Sequence, residues 1–477
     1  MNKILWVFWG VICLALAAYF ALPLISGGDK SVYLIGDTTY GHHQIEMACD
    51  SCHTSAFGGK EVLQDACTQC HAVELDESQD SHPKSKFTDP REAYRLEKID
   101  ARYCISCHVE HQRDETHPMG VTLPDDYCYH CHVETVEERE SHHDLPFDSC
   151  ADAGCHNYHD NRALYESFLV RHANQPWIAE VIDRPVANHA RYKARRNVAS
   201  SDAVSEFASQ TLEAPHDWDN SSHQLAGLQC VDCHTASDVK SKDSSSPVVW
   251  IEKPGVAQCE QCHSKEASGF KQGKHGMRLA EIGPDSVPLA PITPGESHLS
   301  FHNNMLDASQ GCNACHSSHS FDTNVAAAEA CLTCHSDEHS LSYEASPHGE
   351  IRRNAINQGL DLTNTVSCAS CHMPLISAGK HKIKTGTLDA TGETANTSGA
   401  AASEVGETRV ELWRVQHNQN WSLRPNEKMI RPVCLTCHSL EFSIDALADP
   451  ALIKNNFNGK PDKHVESIDW AVKRDQR

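Results

Sequence analysis

The chain has 477 residues, among them 23 cysteines and 33 histidines, and a formal net charge of -24. That length suits two or three ordinary domains, yet only 6% of the residues are aromatic and the mean hydropathy is -0.49, so side chains alone make a thin core. Such an acidic chain, with no basic stripe interleaved with aromatics, argues against nucleic acid as a partner and for neutral or basic ones.

In chain order, residues 4–25 (ILWVFWGVICLALAAYFALPLI) come first and carry no charged side chain. At 1.5 Å per residue they span roughly 33 Å, about one bilayer core. This predicts a transmembrane helix, and its apolar length favours an uncleaved anchor over a signal peptide. Lys3 is the only charge before it, which places the N-terminus in the cytoplasm and the remainder outside, in the bacterial periplasm. Cys13, inside the apolar run, reads as a small hydrophobe.

The other 22 cysteines form 11 close pairs, each followed at once by histidine. In the first half they are Cys49 and Cys52 with His53, Cys67 and Cys70 with His71, Cys104 and Cys107 with His108, Cys128 and Cys131 with His132, and Cys150 and Cys155 with His156. In the second they are Cys230 and Cys233 with His234, Cys259 and Cys262 with His263, Cys312 and Cys315 with His316, Cys331 and Cys334 with His335, Cys368 and Cys371 with His372, and Cys434 and Cys437 with His438. Ten read C-x-x-C-H, and the fifth has two further residues between its cysteines. C-x-x-C-H is the attachment signature of c-type haem: two thiols bond the porphyrin and the next imidazole lies beneath the iron. Structural zinc uses C-x-x-C but gives no reason for histidine always at the adjoining position. A disulfide across two intervening residues closes too short a loop to staple a fold. The expected cofactor is therefore haem c, in 11 covalently attached copies.

Five motifs lie between Cys49 and His156 and six between Cys230 and His438. The expected organisation is an anchor over residues 1–28, a pentahaem cytochrome domain over 29–178, a linker over 179–215 and a hexahaem cytochrome domain over 216–477. Residues 161–171 (NRALYESFLVR) have apolar spacing suited to a helix closing the first half. Residues 184–196 are locally basic and read as linker. Residues 240–247 and 385–408, rich in Ser, Thr, Gly and Ala, read as loops. The expected fold class is mainly α with extensive irregular structure, few strands, a haem-packed core and one N-terminal transmembrane helix.

Once the 11 attachment histidines are set aside, 22 remain, enough to give every iron a second imidazole. Methionine is scarce, at seven, so bis-histidine ligation and low potentials are expected. His111, His159 and His319 each follow an attachment histidine by three residues. Helical spacing would put both on one face, so the second should serve a neighbouring haem. Further candidates are His43, His82 and His142 or His143 in the first half, and His223, His275, His298 or His302, His348 and His417 in the second. His130, between Cys128 and Cys131, is not expected to be a ligand.

Cys49 to His156, with both two-residue and four-residue cysteine spacings, resembles the class III, low-potential multihaem cytochromes. The second half is similar to the superfamily of pentahaem nitrite reductase and octahaem hydroxylamine oxidoreductase, through residues 312–319 (CNACHSSH), 346–349 (SPHG), 368–374 (CASCHMP), His417 and Cys434 to His438. That resemblance implies distal ligation by His275, His348 and His417. No attachment motif ends in lysine, and six sites are fewer than eight.

The expected function is a membrane-anchored periplasmic electron conduit, placed between a membrane partner such as a quinol-oxidising protein and a periplasmic or outer-membrane cytochrome acceptor. The alternative is an oxidoreductase acting on a small nitrogen or sulfur oxyanion at one five-coordinate haem in the second half, lined by Arg352, Arg353, Arg409 or Arg414.

Overall fold

The computed structural model describes residues 2–26, 30–55, 58–117, 120–143, 145–151, 155–160, 166–173, 217–219, 221–235, 250–277, 300, 302, 311–317, 319–362, 365–384, 407–419, 427–466, 468–470 and 473. These are mainly helical, in short pieces joined by turns. They divide into two compact units, one of Met1–Tyr165 with Met277–Asp307, the other of Glu166–Gly276 with Ala308–Arg477.

The first unit opens on α1 (Asn2–Ser26). Its apolar span Lys3–Pro23 has a mean hydropathy of 2.3 and no buried part, which suits a membrane span or a signal sequence equally. Helix α2 (Lys60–Ser78) contains the second attachment motif and stops where Gln79 turns left-handed, at φ 53°. Its last carbonyls are then met by the N–H groups of Gln79 and Asp80, the usual closure of a helix end. Helix α3 (Tyr129–Glu138) carries the end of the fourth motif and is kinked at His132. Between these helices the chain runs in single 3-10 turns and one short α-helical turn, Ala93–Leu96. Ala66 and Val121 are the only buried hydrophobic residues of this unit among those described, so the protein itself provides almost no apolar core here.

The second unit begins with α4 (Glu166–His172). The sequence pattern assigns this helix to the first half, but Phe168 is buried against the second, its ring 3.8 Å from the Arg431 guanidinium carbon. Helix α5 (Ser264–Gln272) follows, then α6 (Pro347–Asn357). Ser346 caps α6 by accepting from the Gly349 N–H, and Pro347 occupies the first helical position, where its missing N–H costs nothing. Gly349 has no alternative, since a Cβ there would lie 2.1 Å from the Tyr343 carbonyl oxygen.

Strands β1 (Leu375–Lys384) and β2 (Glu407–Val415) pair antiparallel, with a bulge at Ser377/Gly379. Among the described residues this hairpin is the one sheet, beside an isolated Thr235–Trp250 bridge. Its two ends explain its place: β1 starts just after the tenth attachment motif, and β2 ends two residues before His417. The unit closes on α7 (Leu440–Leu447) and α8 (Pro450–Lys454). Here lies the best apolar core, with Ile430, Leu440, Ile444 and Ile468 all at most 2% exposed. Asp449 caps α8 through the N–H groups of Ala451 and Leu452 and also receives the Asp462 N–H.

Residues 179–215, with the basic run 184–196, lie outside the described residues, as do residues 240–247 and 385–406.

Candidate haem sites

At eight of the 11 attachment motifs the chain closes a turn in which the histidine N–H donates to the carbonyl of the first cysteine. The bond is 2.8 Å for His53, His263 and His438, and 2.9 Å for His108, His234, His316 and His335. The longer fifth motif closes the same way, His156 N–H reaching the Cys150 carbonyl at 3.0 Å. Two extra residues are thus accommodated without losing the closing bond. None of the 23 cysteines forms a disulfide.

Opposite every attachment histidine stands a second imidazole. In the first unit His71 faces His42 at 6.0 Å between ring centres, His53 faces His111 at 6.5 Å, His132 faces His82 at 6.1 Å, His108 faces His159 at 6.4 Å and His156 faces His142 at 6.1 Å. In the second, His263 faces His223 at 5.9 Å, His234 faces His319 at 6.1 Å and His335 faces His275 at 6.1 Å. His316 faces His417 at 6.4 Å, His372 faces His339 at 6.2 Å and His438 faces His348 at 6.1 Å. Rings in direct stacking contact lie closer, as His82 and Tyr158 do at 4.1 Å. A separation of about 6 Å is what two imidazoles require when one metal ion sits between them, with bonds of about 2 Å on each side.

The local fold explains several placements. His348 is the second residue of α6, aimed by the Ser346 cap. His417 follows β2, where Gln416 N–H donates to the Pro374 carbonyl at 3.0 Å. His111 and His319, each three residues past an attachment histidine, adopt left-handed backbones at φ 63° and 71°. That conformation costs a non-glycine residue roughly 1–2 kcal/mol and turns each ring away from its own motif. His111, His159 and His319 all face the histidine of another motif. The sequence reading reaches that arrangement through a helix, whereas the chain achieves it at His111 and His319 by leaving helical geometry.

Many of these imidazoles are anchored at Nδ1, which leaves Nε2 for a metal. Backbone carbonyls accept from His82 (Tyr158), His108 (Gly120, 2.9 Å), His111 (Gly36, 2.8 Å), His234 (Ile251, 2.7 Å), His339 (Ile453, 2.5 Å) and His417 (Val415, 3.2 Å). Carboxylates hold His42 (Glu110, 2.6 Å), His71 (Glu74, 3.0 Å) and His159 (Asp80, 3.0 Å). Burial pushes His275 and His316 down to about 4 and lowers His108, His156, His335, His348, His417 and His438 as well. Neutral imidazoles are the form that binds metal. His71 runs the other way, raised by its hydrogen bond to Glu74.

The thiols follow a pattern of their own. First cysteines of successive motifs lie against one another, close enough that at least one thiol of each pair shifts the other's ionisation: Cys67 with Cys104, Cys128 with Cys150, Cys259 with Cys312, and Cys331 with Cys368. The intervening steps bring second cysteines within electrostatic reach: Cys52 with Cys70, Cys107 with Cys131, Cys233 with Cys262, and Cys315 with Cys334. The last step differs, since Cys371, a second cysteine, reaches Cys434, the first cysteine of the eleventh motif. Within each unit the motifs are therefore neighbours in sequence order.

Cys155 and Cys437 are the second cysteines of the fifth and eleventh motifs, the last in their units. The sequence reading makes both haem-attaching thiols like the other 20. Both are half-buried, Cys155 adjoins the His156 that closes onto Cys150, and the Cys437 N–H donates to the Cys434 carbonyl at 3.1 Å. That carbonyl also accepts from His438, so the last motif keeps the same turn as the others.

Residues 41–133, which span the first four motifs, match the family model of cytochrome c3. The match supports a multihaem c-type cytochrome. Covalently bound c-type haem and an electron-transfer role come with that similarity. No curated protein matches the chain. The residues present fit haem, because the thiol pair, the adjoining imidazole and the facing imidazole recur together at each motif.

The structure brings His82, His111, His142, His159, His223, His275, His319, His348 and His417 opposite attachment histidines. It does not do so for His43, whose Nδ1 bonds the Tyr40 carbonyl at 3.0 Å while the preceding His42 faces His71. His143 is also turned aside, with Nε2 on the Glu137 carbonyl. His302 is exposed and His298 lies outside the described residues. The place sought for these two is taken by His339, four residues after His335. His130 is exposed. Arg352 is locked onto Glu329 at 2.9 Å and the Asn324 carbonyl at 2.7 Å, and Arg353 donates to the Glu344 carbonyl. Arg409 and Arg414 belong to β2, in register with Lys382 and Ile376.

Proposed function

We propose that the chain is an undecahaem electron conduit in which every iron is held by two histidines, five in the first unit and six in the second. The observation that carries this reading is the recurrence, at all 11 motifs, of a second imidazole 5.9–6.5 Å from the attachment imidazole. Haem, when bound, supplies reversible one-electron chemistry over a range set by its axial ligands. The protein's part is to fix order and spacing. Contacts between the cysteines of consecutive motifs seat them side by side, so electrons pass along each unit in sequence order. The near absence of buried apolar side chains in the first unit supports a core filled by the cofactor instead.

The apolar helix α1 supports a membrane anchor with the haem units in the periplasm, which covalent haem attachment also favours. A quinol-oxidising or other membrane redox protein is the fitting donor, and a periplasmic or outer-membrane cytochrome the fitting acceptor. An imidazole facing every motif leaves no site built for a five-coordinate iron, which weighs against chemistry on a nitrogen or sulfur oxyanion. Electron paramagnetic resonance of the oxidised protein, paired with intact mass, tests the reading. Eleven haems with an entirely low-spin spectrum are expected. A stoichiometric high-spin signal that shifts with nitrite, hydroxylamine or sulfite would overturn it.

A further inference from the structure

One motif differs from the others whose ring partners are described: both of its facing imidazoles are held by carboxylates. His71 donates from Nδ1 to Glu74 at 3.0 Å, three residues along the same helix, and His42 donates to Glu110 at 2.6 Å. Both acids are shielded, with side chains 20% and 27% exposed. Glu110 is further fixed by the Thr39 N–H at 2.8 Å and the Thr39 hydroxyl at 3.0 Å. Elsewhere in the first unit, the pair His108/His159 has one carboxylate, Asp80, and one carbonyl, Gly120. His111 has the Gly36 carbonyl and His142 the Ser141 hydroxyl.

A carboxylate that accepts from Nδ1–H draws the proton toward itself and makes Nε2 a stronger donor to a metal. It also adds a negative charge in a partly desolvated place, where charge acts strongly. Both effects favour ferric over ferrous iron. We propose that Glu74 and Glu110 make the haem attached at Cys67 and Cys70 the most negative in potential of the first unit, and so its hardest haem to reduce. The inference rests on the reading that His42 and His71 are axial ligands. Glu110 lies between His108 and His111, which face His159 and His53. One acid thus borders three successive sites while acting on the ring of only one.

The test is a redox titration of the full-length, haem-loaded protein, followed by optical absorption and electron paramagnetic resonance, on the wild type and on Glu74→Gln, Glu110→Gln and Asp80→Asn. The most negative first-unit transition should move upward in both glutamine variants, by at least tenfold in the reduction equilibrium, which is 59 mV for one electron. Its low-spin signal should shift with it. Asp80→Asn should move a different transition. Intact mass confirms that all haems remain. Glu74→Gln alters only a residue on the same helix as His71, so it keeps the test open if Glu110→Gln fails to mature. A most negative transition left in place by both glutamine variants, with the haem count and low-spin spectrum intact, overturns the inference while leaving bis-histidine ligation standing. A high-spin signal already present in the wild type at this site would instead overturn the ligation reading itself, and this inference with it.

Discussion

Gly36 and His111 are joined at two points. The Gly36 carbonyl accepts from His111 Nδ1 at 2.8 Å, and the Gly36 Cα sits so close that a Cβ on it would lie 2.4 Å from the His111 carbonyl oxygen. The glycine therefore both anchors the imidazole that faces His53 and leaves room for its left-handed backbone.

Gly36→Ala should consequently displace His111. Backbone is rigid, so the contact is relieved only by moving the 36 or 111 segment, which breaks the Nδ1 bond that aims the ring. The expected result is a full complement of attached haem with one high-spin ferric site appearing in the oxidised spectrum. Haem count by intact mass and spin state by electron paramagnetic resonance check this. An unchanged low-spin spectrum would show that His111 is positioned by something other than Gly36.

The adjacent histidines His42 and His43 make opposite predictions. His42 faces His71, while His43 is turned back onto the Tyr40 carbonyl. His42→Gln should free one axial position and produce a high-spin signal worth one haem. His43→Gln should leave the spectrum low-spin. If the two results are exchanged, the turn at residues 40–43 presents the other ring.

How much of this was legible in the sequence depends on what kind of signal each residue carries. The attachment motifs are chemical signatures, readable because two thiols and an adjoining imidazole have to be covalently contiguous. Facing histidines are set by tertiary placement. Those next to a local marker, such as His348 behind its Ser-Pro cap, were readable. His42 and His43 are one residue apart in a non-periodic turn, so no spacing distinguishes them. His339 was missed because it lies four residues past His335, outside the three-residue pattern, although Asp337 accepting from the Ser340 N–H marks the start of its short helix. The hairpin was hidden for another reason: β2 is separated from β1 by a long stretch of small polar residues, so neither strand had a nearby turn signal to announce its partner.

His339 supplies a third prediction. It faces His372 at 6.2 Å with Nδ1 on the Ile453 carbonyl, while His302 is exposed. His339→Gln should convert one haem to high spin, and His302→Gln none. Resonance Raman spin-state markers provide a check independent of electron paramagnetic resonance. A high-spin haem in the His302 variant would transfer the assignment to that residue.

The last prediction concerns pH. His464 donates from Nδ1 to Asp445 at 3.0 Å, and its Nε2 lies 3.4 Å from Asp469. Its pKa is raised, first by the Asp445 hydrogen bond, against a smaller opposing effect of burial. A group whose folded pKa is raised stabilises the fold fully below its unfolded value, near 6.5, and loses that contribution as pH climbs through the folded value. His464 is 41% exposed, so solvent screening limits the effect to about 0.5 kcal/mol. Thermal unfolding of the haem-loaded protein should thus show His464→Gln less stable than wild type at pH 5.5, with the gap closing by pH 8.5. Asp445 also accepts the Val465 N–H at 2.9 Å, a bond that does not titrate with the histidine. A loss that stays constant from pH 5.5 to 8.5 would mean that this packing, and not the charge on His464, joins the C-terminal segment to α7.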